Sequence, residues 1–278
     1  MYIKNWRQYS DSLIKAKEIF TVEKTTLGIK FITRWGKNEF WDNEKNEIPK
    51  SELGLIKAVK THCEALPLEL NVNRKKIRYI DISPIVPNMV HTDIYEIDLT
   101  GAYWNIAFRE GIINKELFER GKLVSKKARL IALGALAKNV TTLYFDGERW
   151  TIGGITENKK ADYFFRVAEM TGEIMQELKY CAGSNYLFYW VDAIFFRAPA
   201  LNEIKRFLFS RNLEYKIYPI DTLQSDNQII YVSSEYWRTE KKKVNPVRKF
   251  SIKKENFDLG EKPQLKAYNH KTVLSKIK

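Results

Sequence analysis

The sequence predicts an α+β fold, a mixed or antiparallel sheet backed by helices. Two observations predict it. Short β-prone runs recur at 27–36, 93–99, 186–196, 213–219 and 228–232. Helical periodicity fills 1–25, 51–65, 158–181 and 200–211. The resulting order is strand, helical insertion, hairpin, long helix, strand, helix, strand, strand. Such an order builds a sheet of RRM-like character with helices behind it.

The elements follow from local chemistry. Tyr9, Leu13, Ile14 and Ala16 share one helical face within 1–25, and Ser10 or Ser12 can cap it. Residues 27–36 alternate as a strand, with a turn expected at Gly36-Lys37-Asn38 before Phe40-Trp41. Ser51 opens the helix 51–65. Arg74-Lys75-Lys76-Ile77-Arg78 is a basic cluster that either is simply solvated or contacts a phosphate backbone. Asn114 to Phe118 forms a short helix closing at Gly121, and a second helix runs from Ser125 to about Lys138. Asp146-Gly147 is a hairpin signal between two β-prone runs. The long helix 158–181 buries Phe164, Phe165, Ala168, Ile174, Met175 and Leu178. The strand 186–196 follows it.

The 278 residues suffice for one large or two small domains. The net charge of +13 favours a polyanionic partner. From Arg238 onward there are 13 Lys/Arg against 4 Asp/Glu, so +9 of that charge lies in the last segment. Such a tail is either a nucleic-acid arm or a solvated extension. Cys63 and Cys181 are too few for a disulfide framework, and His62, His91 and His270 are scattered. The start has no apolar core and no run approaches 18 apolar residues. The expectation is a soluble, cytoplasmic protein without membrane partners.

Two carboxylates carry the functional signal. Asp98 ends the run Tyr95-Glu96-Ile97-Asp98, and Asp192 sits in Phe188-Tyr189-Trp190-Val191-Asp192-Ala193-Ile194. Strands that bring one Asp each to a common point suit a two-metal phosphoryl-transfer site, because divalent ions need hard oxygen ligands at fixed spacing. Strand alternation points Glu96 to the same face as Asp98, so Glu96 is either a further metal ligand or an exposed strand residue.

Asp98-Leu99-Thr100-Gly101-Ala102-Tyr103 resembles the first palm motif of family B DNA polymerases, and the Asp192 segment resembles the third. Arg129 to Lys138 is similar to the fingers motif. Trp190 stands in place of the third motif's first Asp, and Leu133 and Leu136 replace the fingers Asn and Tyr. The resemblance covers about residues 92–200. It implies a palm with small helical fingers at about 104–140 inside a catalytic region 91–237. A region 1–90 precedes this and a basic segment 238–278 follows it. No proofreading exonuclease is expected, because the roughly 90 residues before Asp98 are too few.

The resemblance also implies roles. Asp98 and Asp192 are the catalytic metal ligands for Mg²⁺ or Mn²⁺, with the Leu99 backbone carbonyl beside them. Tyr103 stacks on the sugar, and Arg129 with Lys126 binds the triphosphate of a dNTP. From the residues themselves, Lys138 either faces primer or template or is solvated, and Lys241, Lys242 and Lys243 with Tyr236 and Trp237 either grip DNA as a thumb substitute or form an extended tail. Tyr189 and Trp190 either pack or stack on a base. The expected function is template-directed DNA polymerase activity in a phage or mobile-element setting, hence host cytoplasm, with a priming or accessory protein as partner. The alternatives are a catalytically inactive palm that binds nucleic acid or a replication partner, and a primase-like nucleotidyltransferase using Glu96 with Asp98.

Overall fold

The computed structural model describes residues 6–24, 28–41, 50–67, 70, 72–82, 89–226, 229–239 and 247–251. Helix α1 (Trp6–Lys15) leads into β1 (Phe20–Lys24), β2 (Gly28–Thr33), β3 (Gly36–Trp41) and α2 (Lys50–Ala65). A 3-10 turn at Arg74–Lys76 precedes β4 (Ile80–Ile82), β5 (Val90–His91) and β6 (Ile94–Leu99). Three short helices follow, α3 (Ala102–Arg109), α4 (Lys115–Lys122) and α5 (Lys126–Gly134), then β7 (Val140–Phe145) and β8 (Trp150–Thr156). Helix α6 (Ala161–Ala182) leads to β9 (Tyr186–Trp190), β10 (Ala193–Arg197), α7 (Leu201–Ser210) and β11 (Tyr215–Ile220). Last come β12 (Thr222–Ser225), β13 (Ile229–Ser233), α8 (Glu235–Thr239) and β14 (Val247–Ser251). The fold is α+β, with antiparallel sheets backed by helices. No helix among the described residues is long and apolar enough to cross a membrane.

The chain divides into two units, each discontinuous in sequence. Of the described residues, the first combines those up to 70 with 107–165; the second combines 72–106 with 166–251. Residues 104–140 thus contribute α4 and α5 to the unit that also holds α1, α2 and β1–β3.

In the first unit the sheet order is β3-β2-β1-β7-β8. Its core joins Leu13 of α1 to Phe20, Val22, Ile29, Phe31, Leu143 and Phe145. The helix expected over 1–25 ends at Lys15, with Lys17 at φ 51°. Phe20 and Val22 are two residues apart and both reach this core, which a strand allows and a helix does not. The strand expected through Gly36 is likewise two strands. Thr33 pairs with Gly36 across an Arg34-Trp35 turn, and Gly36 at φ +130° takes a conformation open only to glycine. Helix α2 packs against α5 and α4. The Ser125 hydroxyl caps α5 by accepting from the Ala128 N–H, and Glu52 of α2 accepts from the Ser125 N–H and hydroxyl. Helix α5 stops at Gly134, short of Lys138.

In the second unit one sheet has the order β11-β6-β10-β9-β4 and another β14-β13-β12-β5. Ile94, Phe188, Phe195 and Ile220 of the first meet Leu223, Ile230 and Val232 of the second, with Trp237 of α8 beside them. Helix α6 is tied to the first sheet through Gln176, which donates to the Tyr189 hydroxyl at 2.7 Å, and Lys179, which pairs with Asp81 at 3.0 Å. Residues 186–196 form a hairpin rather than one strand, because Trp190 pairs with Ala193 across the two-residue turn Val191-Asp192.

Leu133 and Leu136 are each 1% exposed and are core residues. Leu133→Asn removes buried apolar volume and buries a polar group, so urea denaturation should show a loss of about 3 kcal/mol.

Candidate functional site

Strand β6 lies between β10 and β11, and this places Asp98. Asp98 is directly opposite Ala193 on β10 and Lys216 on β11. Alternation puts Ile94, Glu96 and Asp98 on one face, with Tyr95, Ile97 and Leu99 on the other. The Leu99 N–H donates to the Asp192 carbonyl at 3.0 Å, which ties the end of β6 to the β9–β10 turn. The chain then leaves the sheet abruptly. Thr100 N–H donates to the Glu214 carbonyl at 2.8 Å, and Gly101 adopts φ +57°. The Gly101 carbonyl accepts from the N–H groups of Trp104 and Asn105, and the Asn105 amide donates to the Thr100 carbonyl at 2.7 Å. The strand, the glycine turn and the first turn of α3 together bring Tyr103 to the same end of the sheet.

Asp192 occupies the turn, half-buried, and is not embedded in a continuous apolar strand. Its position therefore needs no metal to offset desolvation. Val191 before it has φ 58°, a conformation disfavoured for a β-branched residue, and its N–H donates to the Tyr79 carbonyl at 2.6 Å. Strain of this kind is retained where surrounding contacts over-determine the backbone.

The two carboxylates act on different neighbours. Burial raises the Tyr103 phenol well above its usual range, and Tyr79 and the charge of Asp192 add to this. Burial pushes Tyr79 up to about 12, and its hydroxyl has no hydrogen-bond partner among the described residues. Tyr218 is raised by burial first and then by Asp98 and Glu96. Asp192 thus sits beside the Tyr103–Tyr79 pair and Asp98 beside Tyr218.

Glu96 is not an exposed strand residue. It is 2% exposed and forms an ion pair with Arg248 of β14. The Arg248 guanidinium also lies over the Trp237 ring at 3.8 Å. This pairing accounts for a buried carboxylate through a basic partner. It also changes the reading of the C-terminal segment, since residues 247–251 are a strand of the second sheet and Trp237 is core at 3% exposure. Trp237 therefore does not stand free for DNA. Lys241, Lys242 and Lys243 lie outside the described residues.

Of the other expected site residues, Arg129, Lys126 and Lys138 belong to the first unit. Arg129 donates to the Gly121 carbonyl at 3.0 Å, bracing α4 against α5, while Lys126 and Lys138 are exposed. Tyr189 is fully buried, and Trp190 packs on Phe250 at 5.2 Å between ring centres. Both are packing residues. Sequence reasoning missed Lys216, Tyr79 and Arg248 as neighbours of these carboxylates. Alternation within 213–219 assigns Lys216 a face, but only strand pairing sets it opposite Asp98.

Among the described residues no group of three or more His, Cys, Asp or Glu is placed to hold a metal. Two carboxylates at neighbouring strand ends nevertheless have the hard-oxygen chemistry that Mg²⁺ takes, since this ion commonly binds one or two carboxylates plus substrate phosphates. The chain matches no protein-family model, no curated protein and no solved structure.

Arg248→Met leaves Glu96 buried without its cation and should cost about 3 kcal/mol, whereas the double variant with Glu96→Leu should recover most of that loss in urea titrations. At the turn, Val191→Gly should be more stable than Val191→Ala by about 0.5–1 kcal/mol, because Ala keeps the left-handed strain that Gly relieves. The two thermal midpoints compare them directly.

Proposed function

We propose that the second unit is a palm-like nucleotidyltransferase module and that the protein is a template-directed DNA polymerase. One observation carries the reading. Asp98 is the penultimate residue of the interior strand β6, and Asp192 lies in the turn next to it, joined by the Leu99–Asp192 backbone hydrogen bond. Strand order supports it as well. The chain order β6, α6, β9, β10, α7, β11, with α3 to β8 inserted after β6, and the spatial order β11-β6-β10-β9 support an RRM-like, split β-α-β reading.

In this reading Asp98 and Asp192 hold the divalent ions, and the Leu99 carbonyl is a third oxygen donor. The bound ions supply charge neutralisation at the phosphoryl group and ease loss of the 3′-hydroxyl proton. The protein's own part is positioning. The β6–β10 register fixes the two carboxylates relative to each other, and the first turn of α3 fixes Tyr103 beside Asp192. Lys216 places a cation across from Asp98, where it can meet phosphate oxygens. Triphosphate binding by Arg129 and Lys126 and a primer or template contact by Lys138 are proposals that rest on the sequence resemblance alone. The partners are DNA and dNTPs, with a priming or accessory protein.

A second reading is a palm that binds nucleic acid without catalysis. Trp190 favours it, because an indole packed on Phe250 occupies the place of the motif's other Asp. A primase-like chemistry resting on Glu96 with Asp98 is disfavoured by the Glu96–Arg248 pair.

Primer extension on a short primed single strand, with Mg²⁺ or Mn²⁺, separates these readings. The wild type should extend the primer, and Asp98→Ala and Asp192→Ala should each lose about 10³-fold or more in rate, equivalent to several kcal/mol of charge stabilisation. No extension with either metal, alongside salt-sensitive DNA binding that both substitutions leave intact, would establish the non-catalytic palm.

A further inference from the structure

The first unit contains a groove of about 420 Å³ between α2 and α4. Its floor on α2 runs along Gly54, Ala58 and Thr61, spaced so that they share one helical face. All three are small, and this leaves the groove open. Lys57 and Arg120 stand on its two sides, both exposed, and no ion pair to either is present among the described residues. Glu116 contributes one opposing charge, so the lining remains net positive.

One detail sets this groove apart from an ordinary solvated surface, and it is Gly54. A glycine inside a helix is a poor choice compared with alanine. Here a Cβ would lie 2.8 Å from the Arg120 guanidinium, so the missing side chain is what lets that group rest against α2.

We propose that this groove binds a phosphate group. Arg120 offers a two-pronged donor, Lys57 a mobile ammonium and Thr61 a hydroxyl, and these suit a group with several strong acceptor oxygens. The volume exceeds that of one phosphate, which leaves room for an attached nucleoside or the next residue of a strand. The site uses none of the residues assigned to the proposed reaction, and it stands whether or not Asp98 and Asp192 are catalytic.

The test uses the full chain, titrated with inorganic phosphate by calorimetry and with a labelled 12-nucleotide single-stranded DNA by fluorescence anisotropy. The variants are Arg120→Gln, Gly54→Ala and, as a control on the same helix outside the groove, Lys122→Gln. Arg120→Gln and Gly54→Ala should each weaken phosphate binding about tenfold, the size of one charge-assisted hydrogen bond. Lys122→Gln should stay within about twofold of wild type. Gly54→Ala should keep or raise the thermal midpoint, since alanine is the better helix former, and if it unfolds instead, Arg120→Gln decides. If DNA loses the same factor and phosphate competes it off, the source is a nucleic-acid backbone. If only phosphate binding responds, the source is free phosphate or a nucleotide. Absence of saturable phosphate binding, wild-type affinity in Arg120→Gln, or an equal loss in Lys122→Gln would overturn the proposal.

Discussion

The placement of Asp98 depends on strand β6 being held between β10 and β11 in a single register. Side chains alternate with a period of two, so a slip of one residue would exchange Ile97 and Leu99 for Glu96 and Asp98. Both faces of this sheet are committed. Ile97, Ile194 and Phe196 are buried on one side, and Ile94, Phe195 and Ile220 pack against the second sheet on the other. A slipped register would drive carboxylates into the first of these faces. Hydrophobic burial on two sides therefore enforces the position of a polar residue at the strand's end.

Arg248 links the C-terminal strand β14 to this arrangement. Its guanidinium reaches Glu96, two residues before Asp98, while Trp237 covers it from one side. The buried charge of Glu96 is tolerated because a cation and an aromatic face surround it. Part of a segment whose composition suggests a solvated basic arm is thus built into the sheet.

Several features were legible because they are local. Ser125 as a cap, Asp146-Gly147 as a hairpin turn, the long amphipathic α6 and the strand that carries Asp98 follow from side-chain chemistry within a few residues. Others were not. Residues 20–24 read as a helix because their apolar positions also suit a short amphipathic stretch, and only pairing with β2 and β7 separates the two. The run 186–196 reads as one strand because nothing in Val191-Asp192 signals a turn; a β-branched residue at φ 58° is held there by the Tyr79 carbonyl, more than 100 residues away in sequence.

By itself the sequence determined the α+β class and most of the helices and strands, because propensity, capping and alternation act over one or two turns of chain. Only the tertiary structure decided that Asp192 sits in a turn beside Leu99, that Glu96 is neutralised by Arg248, and that Lys216 faces Asp98. It alone also opened a groove between α2 and α4 over Gly54. Each of these depends on strand pairing or helix packing between distant segments, and register is set by which faces bury together rather than by the preferences of the residues involved.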